Sequence, residues 1–273
     1  MAHTFTTLRH PLEKLLEAEH FLARLTRADG IVFQFELNAF LSACRSVTFL
    51  LQSSFSDVRG FSEWYEQRRA EMSADKAMGF FLKLRNLSQK AGPVSYVGGA
   101  LLGGGWTYRF VHGSEHVPEA LQGRDIGSCC AEQLRKVAGV VADCADTFPF
   151  DSCPMAAFTI EGMAHLGYTM EDAERAIGMP AGYSDVPGFG PDVKLHYLKR
   201  ELEPLDRATL IRMAAGEFRC GDERLAFPDS RGGDLVDDMA ALIDPRNPDG
   251  GDMRTIFLRA VATRIERQTL DDA

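Results

Sequence analysis

The most regular feature of the chain is an apolar stripe in the segment IVFQFELNAFLSACRSVTFLLQ. Phe33, Leu37, Phe40, Leu41, Cys44, Val47, Thr48 and Leu51 recur there at intervals of one, three and four residues. That is the pattern of a long helix burying one face, and it predicts a central helix. Ahead of it, HPLEKLLEAEHFLARLTRAD places Pro11 where a first helical turn tolerates proline. Leu15, Leu16, Phe21, Leu22 and Leu25 follow at mostly helical spacing, and Gly30 marks the break between the two helices.

The composition of SSFSDVRG predicts a loop, and FSEWYEQRRAEM a short helix capped by Ser62. The next helix contains MGFFLKLRNLSQK, capped by Ser73 or Asp75 and stopped by Ala91-Gly92-Pro93. Residues 94–127 change character: glycines cluster in VSYVGGALLGGG and are followed by β-favouring WTYRFV, which predicts a Gly-rich loop with a small β-hairpin. A helix over Ser128–Thr147 then carries Leu134, Val137, Val140, Val141 and Cys144 on one face. The expected fold is mainly α: an antiparallel helical bundle over residues 1–150 with a Gly-rich insert at 94–127, and a smaller α-helical C-terminal region over 151–273. In that region helices are expected at 155–166, 170–178, 204–215, 234–243 and 253–268. Thr169 and Asp172 form a capping box, with Asp in place of the usual Glu.

Charge refines this picture. The net charge of −9 is uneven: residues 1–92 carry 12 Lys/Arg against 10 Asp/Glu, and the remainder 18 against 29. An acidic chain is a poor non-specific nucleic-acid binder, because phosphate contacts supply most of that affinity. Any nucleic-acid contact is therefore expected to be local and in the first third. No apolar run is long enough to span a bilayer, and the N-terminus has no basic and apolar leader, which points to the cytoplasm and away from membranes. Six cysteines without a C-x-x-C pair are expected to be reduced and mostly buried, with no structural metal.

The candidate chemistry sits at the end of FFLKLRNLSQKAGP: Arg85, Asn86 and Lys90. Together with ELNAFLSACRSVTFLLQ and FSEWYEQRRAEM, this segment resembles the HEPN superfamily of small helical bundles found in prokaryotic toxin–antitoxin and phage-defence systems. The resemblance covers roughly residues 10–150. It implies a homodimer, with two copies of an Arg–polar–gap–His motif facing one cleft. It also implies RNA as target, an antitoxin or other protein as partner, and metal-independent, cofactor-free endoribonuclease chemistry. In such chemistry a 2′-hydroxyl attacks the adjacent phosphate, His moves protons and Arg steadies the developing charge.

Arg85 matches the arginine and Asn86 the polar residue, but Lys90 stands where the histidine belongs. A lysine ordinarily keeps its proton at neutral pH and is a poor base. The resemblance thus implies a degenerate or attenuated ribonuclease-like protein. The alternative is a non-catalytic dimerisation or partner-binding scaffold, in which Arg85 ties helices together through Asn86 or an acidic partner. On an ideal helix Asn86 and Lys90 share a face while Arg85 and Lys90 lie about 140° apart.

Two further patterns carry less chemistry. In RFVHGSEHVP, His112-x-x-Glu115-His116 spells an inverted zinc-protease pattern and Arg109 to His116 fits a loose Arg-x6-His spacing. Gly113-Ser114 and Pro118 predict a loop, where the histidines cannot share a helical face. They could instead fold over the Arg85 end and supply the imidazole. FTIEGMAHLGYTMEDAERAIGMPAGY is loosely similar to a helix-turn-helix, yet it has few basic residues to meet phosphate. Packing of Met163, Leu166, Ala173 and Ile177 into a small core accounts for it better. VGGALLGGGWTYR lacks the Lys-Ser/Thr of a phosphate-binding loop, and SYVGG is not a nucleophile elbow.

Overall fold

A computed structural model describes residues 7–225, except 102–104, 114, 186, 201, 203, 221 and 222. The expected helices at 234–243 and 253–268 lie outside the described residues. The chain is mainly α-helical with a small hairpin. Its first part comprises α1 (Arg9–Leu25), α2 (Gly30–Phe55), α3 (Phe61–Ala74), α4 (Lys76–Lys90) and α5 (Ile126–Thr147), with β1 (Tyr96–Ala100) and β2 (Trp106–Phe110) between α4 and α5.

The periodic stripe does what its spacing dictates. Phe33, Leu37, Phe40, Leu41, Cys44, Val47, Thr48 and Leu51 are all buried, and α2 packs against α1, α4 and α5. Leu16, by contrast, points outward. Helix α3 does not start on a Ser62 cap. Gly60 is its N-cap, with a left-handed φ of 82° that suits glycine because it has no Cβ to clash. Ser62 sits inside the first turn. Helix α4 starts on Asp75, whose carboxylate accepts from the Ala77 and Met78 N–H groups at 2.9 and 3.1 Å.

The Gly-rich insert is an antiparallel hairpin that packs on the bundle. Gly98 pairs with Tyr108, whose ring stacks on Phe33 at 3.7 Å and whose hydroxyl accepts from the Gly30 N–H at 3.1 Å. A Cβ on Gly98 would meet the Tyr108 ring at 2.7 Å, and that ring is held from two sides. Asp125, the N-cap of α5, joins hairpin to helix: one oxygen accepts from Thr107 Oγ1 and the Tyr108 N–H, the other from the Ser128 N–H.

Beyond residue 148 the helices are short: α6 (Pro149–Ser152), α7 (Pro154–Ala157), α8 (Ile160–Leu166), α9 (Met170–Ala176), α10 (Pro191–Lys199) and α11 (Arg207–Ala214), with a minimal pairing of β3 (Arg219–Cys220) and β4 (Glu223–Arg224). The single helix expected at 155–166 is two pieces, interrupted at Phe158 before the Thr159 cap. The Thr169–Asp172 capping box forms in both directions. Met163 and Ala173 are buried with Phe158, Leu195 and Leu198 in a second core, and Leu166 and Ile177 pack against it. Leu210, Met213 and Phe218 join the first core, carried back onto α5 and α1 by α11 and β3.

Candidate functional site

Three features position Arg85. The Asp75 cap fixes where α4 begins, and Lys136 of α5 reinforces it at 2.7 Å. Burial pushes the Asp75 carboxyl up, but the Lys136 ammonium and the helix N–H groups more than offset this and hold it below the usual range. The buried face Ala77, Phe80, Phe81 and Leu84 then sets the rotation of the helix. Finally, Gln89 Nε2 donates to Ser42 Oγ at 3.4 Å, tying the end of α4 to α2, and the Arg85 charge is felt at Arg45 of α2.

Arg85 is half-buried. Its Nη1 donates to Asn86 Oδ1 at 3.2 Å, while its buried Nε has no hydrogen-bond partner among the described residues. Arg45 is also half-buried; it donates to Thr48 Oγ1 at 2.7 Å and lies 4.1 Å over the Phe49 ring. Burial lowers the Arg45 pKa, the Arg85 charge adds to that lowering, and Tyr65 partly opposes it. Among the described residues neither guanidinium has a carboxylate within ion-pair distance. The acidic partner considered for Arg85 is thus not seen, and the neighbour it has is a second cation.

Lys90, the last residue of α4, is exposed and lies on the Asn86 side of the helix rather than the Arg85 side. Asn86 is therefore the hinge between the two charges: it touches Arg85 through its side chain and shares a face with Lys90.

The two loop histidines do not come to Arg85. Their rings stack on each other at 4.7 Å, and His112 Nδ1 accepts from the Val117 N–H at 3.3 Å. The loop packs on the Phe80–Leu84–Leu87 side of α4 and is tied there by a Lys83–Glu115 ion pair of 3.1 Å. Arg85 lies roughly 100–160° around the helix from that side. Among the described residues no cluster of three His, Cys, Asp or Glu side chains is arranged to hold a metal. Cys44, Cys129, Cys130 and Cys144 are free and buried. Desolvation pushes the Cys44, Cys129 and Cys144 thiols up to about 12 and raises that of Cys130 too, so none is a ready nucleophile.

Arg45 escaped the sequence reading. It sits among core positions of α2 and becomes notable only once α4 is laid across it. The signal available was a cation inside an otherwise apolar and small-residue stretch, SACRSVTF.

A family model described as bacteriophage lambda protein ea47 matches residues 15–97, and over that stretch the chain is similar to that family. The matched region runs from within α1 through α4 to the start of β1, so it contains Arg45, Arg85, Asn86 and Lys90. Comparison with curated proteins finds no match, and comparison with solved structures finds none either. No helix among the described residues is long and apolar enough to cross a membrane.

Proposed function

We propose that the chain is an RNA-contacting helical module, an attenuated relative of metal-independent ribonucleases, that works as a homodimer in a phage-related or defence setting. Arg85 and Arg45 contact backbone phosphate, Asn86 orients Arg85, and Lys90 adds charge at the rim. The observation that carries the reading is a pair of half-buried guanidiniums, neither with a carboxylate at ion-pair distance among the described residues, near enough that the Arg85 charge helps lower the Arg45 pKa. Bringing two cations together costs free energy, and a phosphate bridging them returns it through charge-assisted, forked hydrogen bonds.

Catalysis is expected to be weak. Proton transfer from a 2′-hydroxyl calls for a base near its own pKa within hydrogen-bond reach, and the described surroundings of Arg85 offer arginine, asparagine and serine. Turnover of a defined RNA in chelator, wild type against Arg85→Ala, is the direct assay. The proposal expects slow cleavage lost in the variant, or RNA binding without cleavage. Neither binding nor cleavage would remove it.

One observation favours the scaffold reading instead. Ile31, Phe35 and Phe49 are exposed along one side of α2, a larger apolar display than a surface helix needs. In that reading two copies pair through α2 and the arginines are structural. Sedimentation velocity on Phe35→Glu separates the two: loss of a dimer with RNA binding intact places the apolar side in pairing alone.

A further inference from the structure

Beside Arg45 a cleft of about 470 Å³ opens between α2, α3, α4 and α5. That lies within the range of small-molecule pockets. Its lining has a definite polarity. Arg45, Arg69 and Lys83 contribute cations, and among the described residues no aspartate or glutamate lines it. Arg69 and Lys83 each reach a carboxylate outside the cleft, Glu66 at 2.7 Å and Glu115 at 3.1 Å, whereas Arg45 has none among the described residues. The body of the cleft is apolar and contains the Phe81 and Tyr65 rings with Met72 and Met78.

At its α5 wall lies Gln133, only 8% exposed, whose buried Oε1 has no hydrogen-bond partner among the described residues. A buried acceptor left unmade destabilises the fold, so such groups call for an explanation. Among the described residues nothing packed around Gln133 gives it a fold-holding bond through that atom.

The geometry points to a ligand site for a nucleoside monophosphate: a phosphate held by Arg45 with Lys83 or Arg69, a planar base against the methionines and aromatic rings, and a base N–H donating to Gln133 Oε1 once that amide turns from its buried position toward the cleft. The three requirements are independent. An anion alone leaves the apolar body wet, and an aryl phosphate without an N–H leaves Gln133 unsatisfied. A nucleotide free in solution and one unit of an RNA chain present the same groups. Arg85 does not line this cleft but Arg45 is common to both, so the inference rests on the RNA reading for Arg45 and goes beyond it in the apolar body and Gln133.

The test titrates the full chain with adenosine, cytidine and uridine monophosphates, phenyl phosphate, inorganic phosphate and a hexaribonucleotide, read by calorimetry and thermal shift. At least one mononucleotide is expected to bind saturably, with phenyl phosphate and inorganic phosphate about tenfold weaker or worse, the worth of one buried hydrogen bond. Gln133→Leu should lose about that factor while melting higher than wild type without ligand, since it removes the orphan acceptor; this combination marks a group held for binding at the expense of stability. Gln133→Met serves as a second apolar variant should leucine not fit. Binding of the hexamer in competition with the mononucleotide assigns the source to RNA, and binding of the mononucleotide alone assigns it to the free pool. No saturable mononucleotide binding, equal affinity in the Gln133 variants, or variants that melt lower while binding normally would each overturn the assignment. Gln133 has no part in the RNA proposal, so its variants read this assignment alone, whereas failure of the RNA proposal is read from the RNA binding of Arg85→Ala.

Discussion

Glu19 is the residue whose removal should reshape the molecule most for a single change. It lies on α1 with its side chain 7% exposed, and it accepts from both arms of Arg212, 15% exposed, at 2.5 and 2.9 Å. The Arg219 N–H donates to the same carboxylate at 2.7 Å. One carboxylate thus anchors α11 and β3 to the first helix across nearly 200 residues of chain. Glu19→Ala leaves a part-buried guanidinium and a backbone N–H without that acceptor. Breaking a buried pair from one side typically costs about 3–5 kcal/mol. Because Arg212 also donates to the Glu217 carbonyl, the low end, about 3 kcal/mol, is expected here. Replacing both partners, Glu19→Leu with Arg212→Met, should recover most of the loss, since an apolar pair of similar volume leaves no orphan charge. Urea unfolding of the two single variants and the double variant gives the coupling directly. Limited trypsin digestion should show new cleavage between α10 and α11 in Glu19→Ala. A loss below about 1 kcal/mol, or a double variant as unstable as the sum of the singles, would refute the claim that this clamp holds α11 in place.

Two other outcomes follow from packing and titration. A Cβ on Gly162 would sit 2.4 Å from the carbonyl oxygens of both Ala156 and Ala157, which cannot swing aside, so Gly162→Ala should lose about 1–3 kcal/mol. Gly139→Ala in α5 meets open space and should gain up to about 1 kcal/mol, and equal effects of the two in chemical denaturation would contradict the packing. Glu174 is buried and accepts from the Ser184 N–H and hydroxyl and the Gly182 N–H. Burial pushes its carboxyl up, but those donors outweigh burial and hold it below the ordinary range. A depressed carboxyl contributes stability above its unfolded pKa of about 4.3 and loses it as pH falls through the lower folded value. Wild type should therefore lose more stability between pH 6 and 3 than Glu174→Gln, and parallel curves would show the cage to be energetically idle.

Much of the bundle could be read from the sequence because its elements are signalled locally. The α2 stripe is a matter of spacing, the Asp75 cap and the Thr169–Asp172 box are short side chain-to-backbone bonds, and the glycines before WTYRF announce a hairpin. Helix α10 passed unnoticed although Pro191 stands at its first position, since its nine residues are too few for a periodic pattern to stand out. The return of α11 to α1 depends on Glu19 finding Arg212, and nothing in either neighbourhood encodes that distance. The site divides the same way. Arg85, Asn86 and Lys90 were visible as a motif on one helix. Arg45 and Gln133 acquire meaning only from the crossing of α2, α4 and α5, where a cation meets a cation and an acceptor is left without a donor.

The central claim, that the paired arginines exist to meet RNA phosphate, is tested most directly by the salt dependence of binding to a fluorescent single-stranded RNA. Each phosphate contact contributes a slope of about −0.7 in log affinity against log salt. Arg85→Ala and Arg45→Ala should each flatten the slope by about that amount and weaken binding at low salt, with unchanged circular dichroism. An unaltered slope in both variants, or RNA binding no stronger than that of an unrelated acidic protein, would contradict the account.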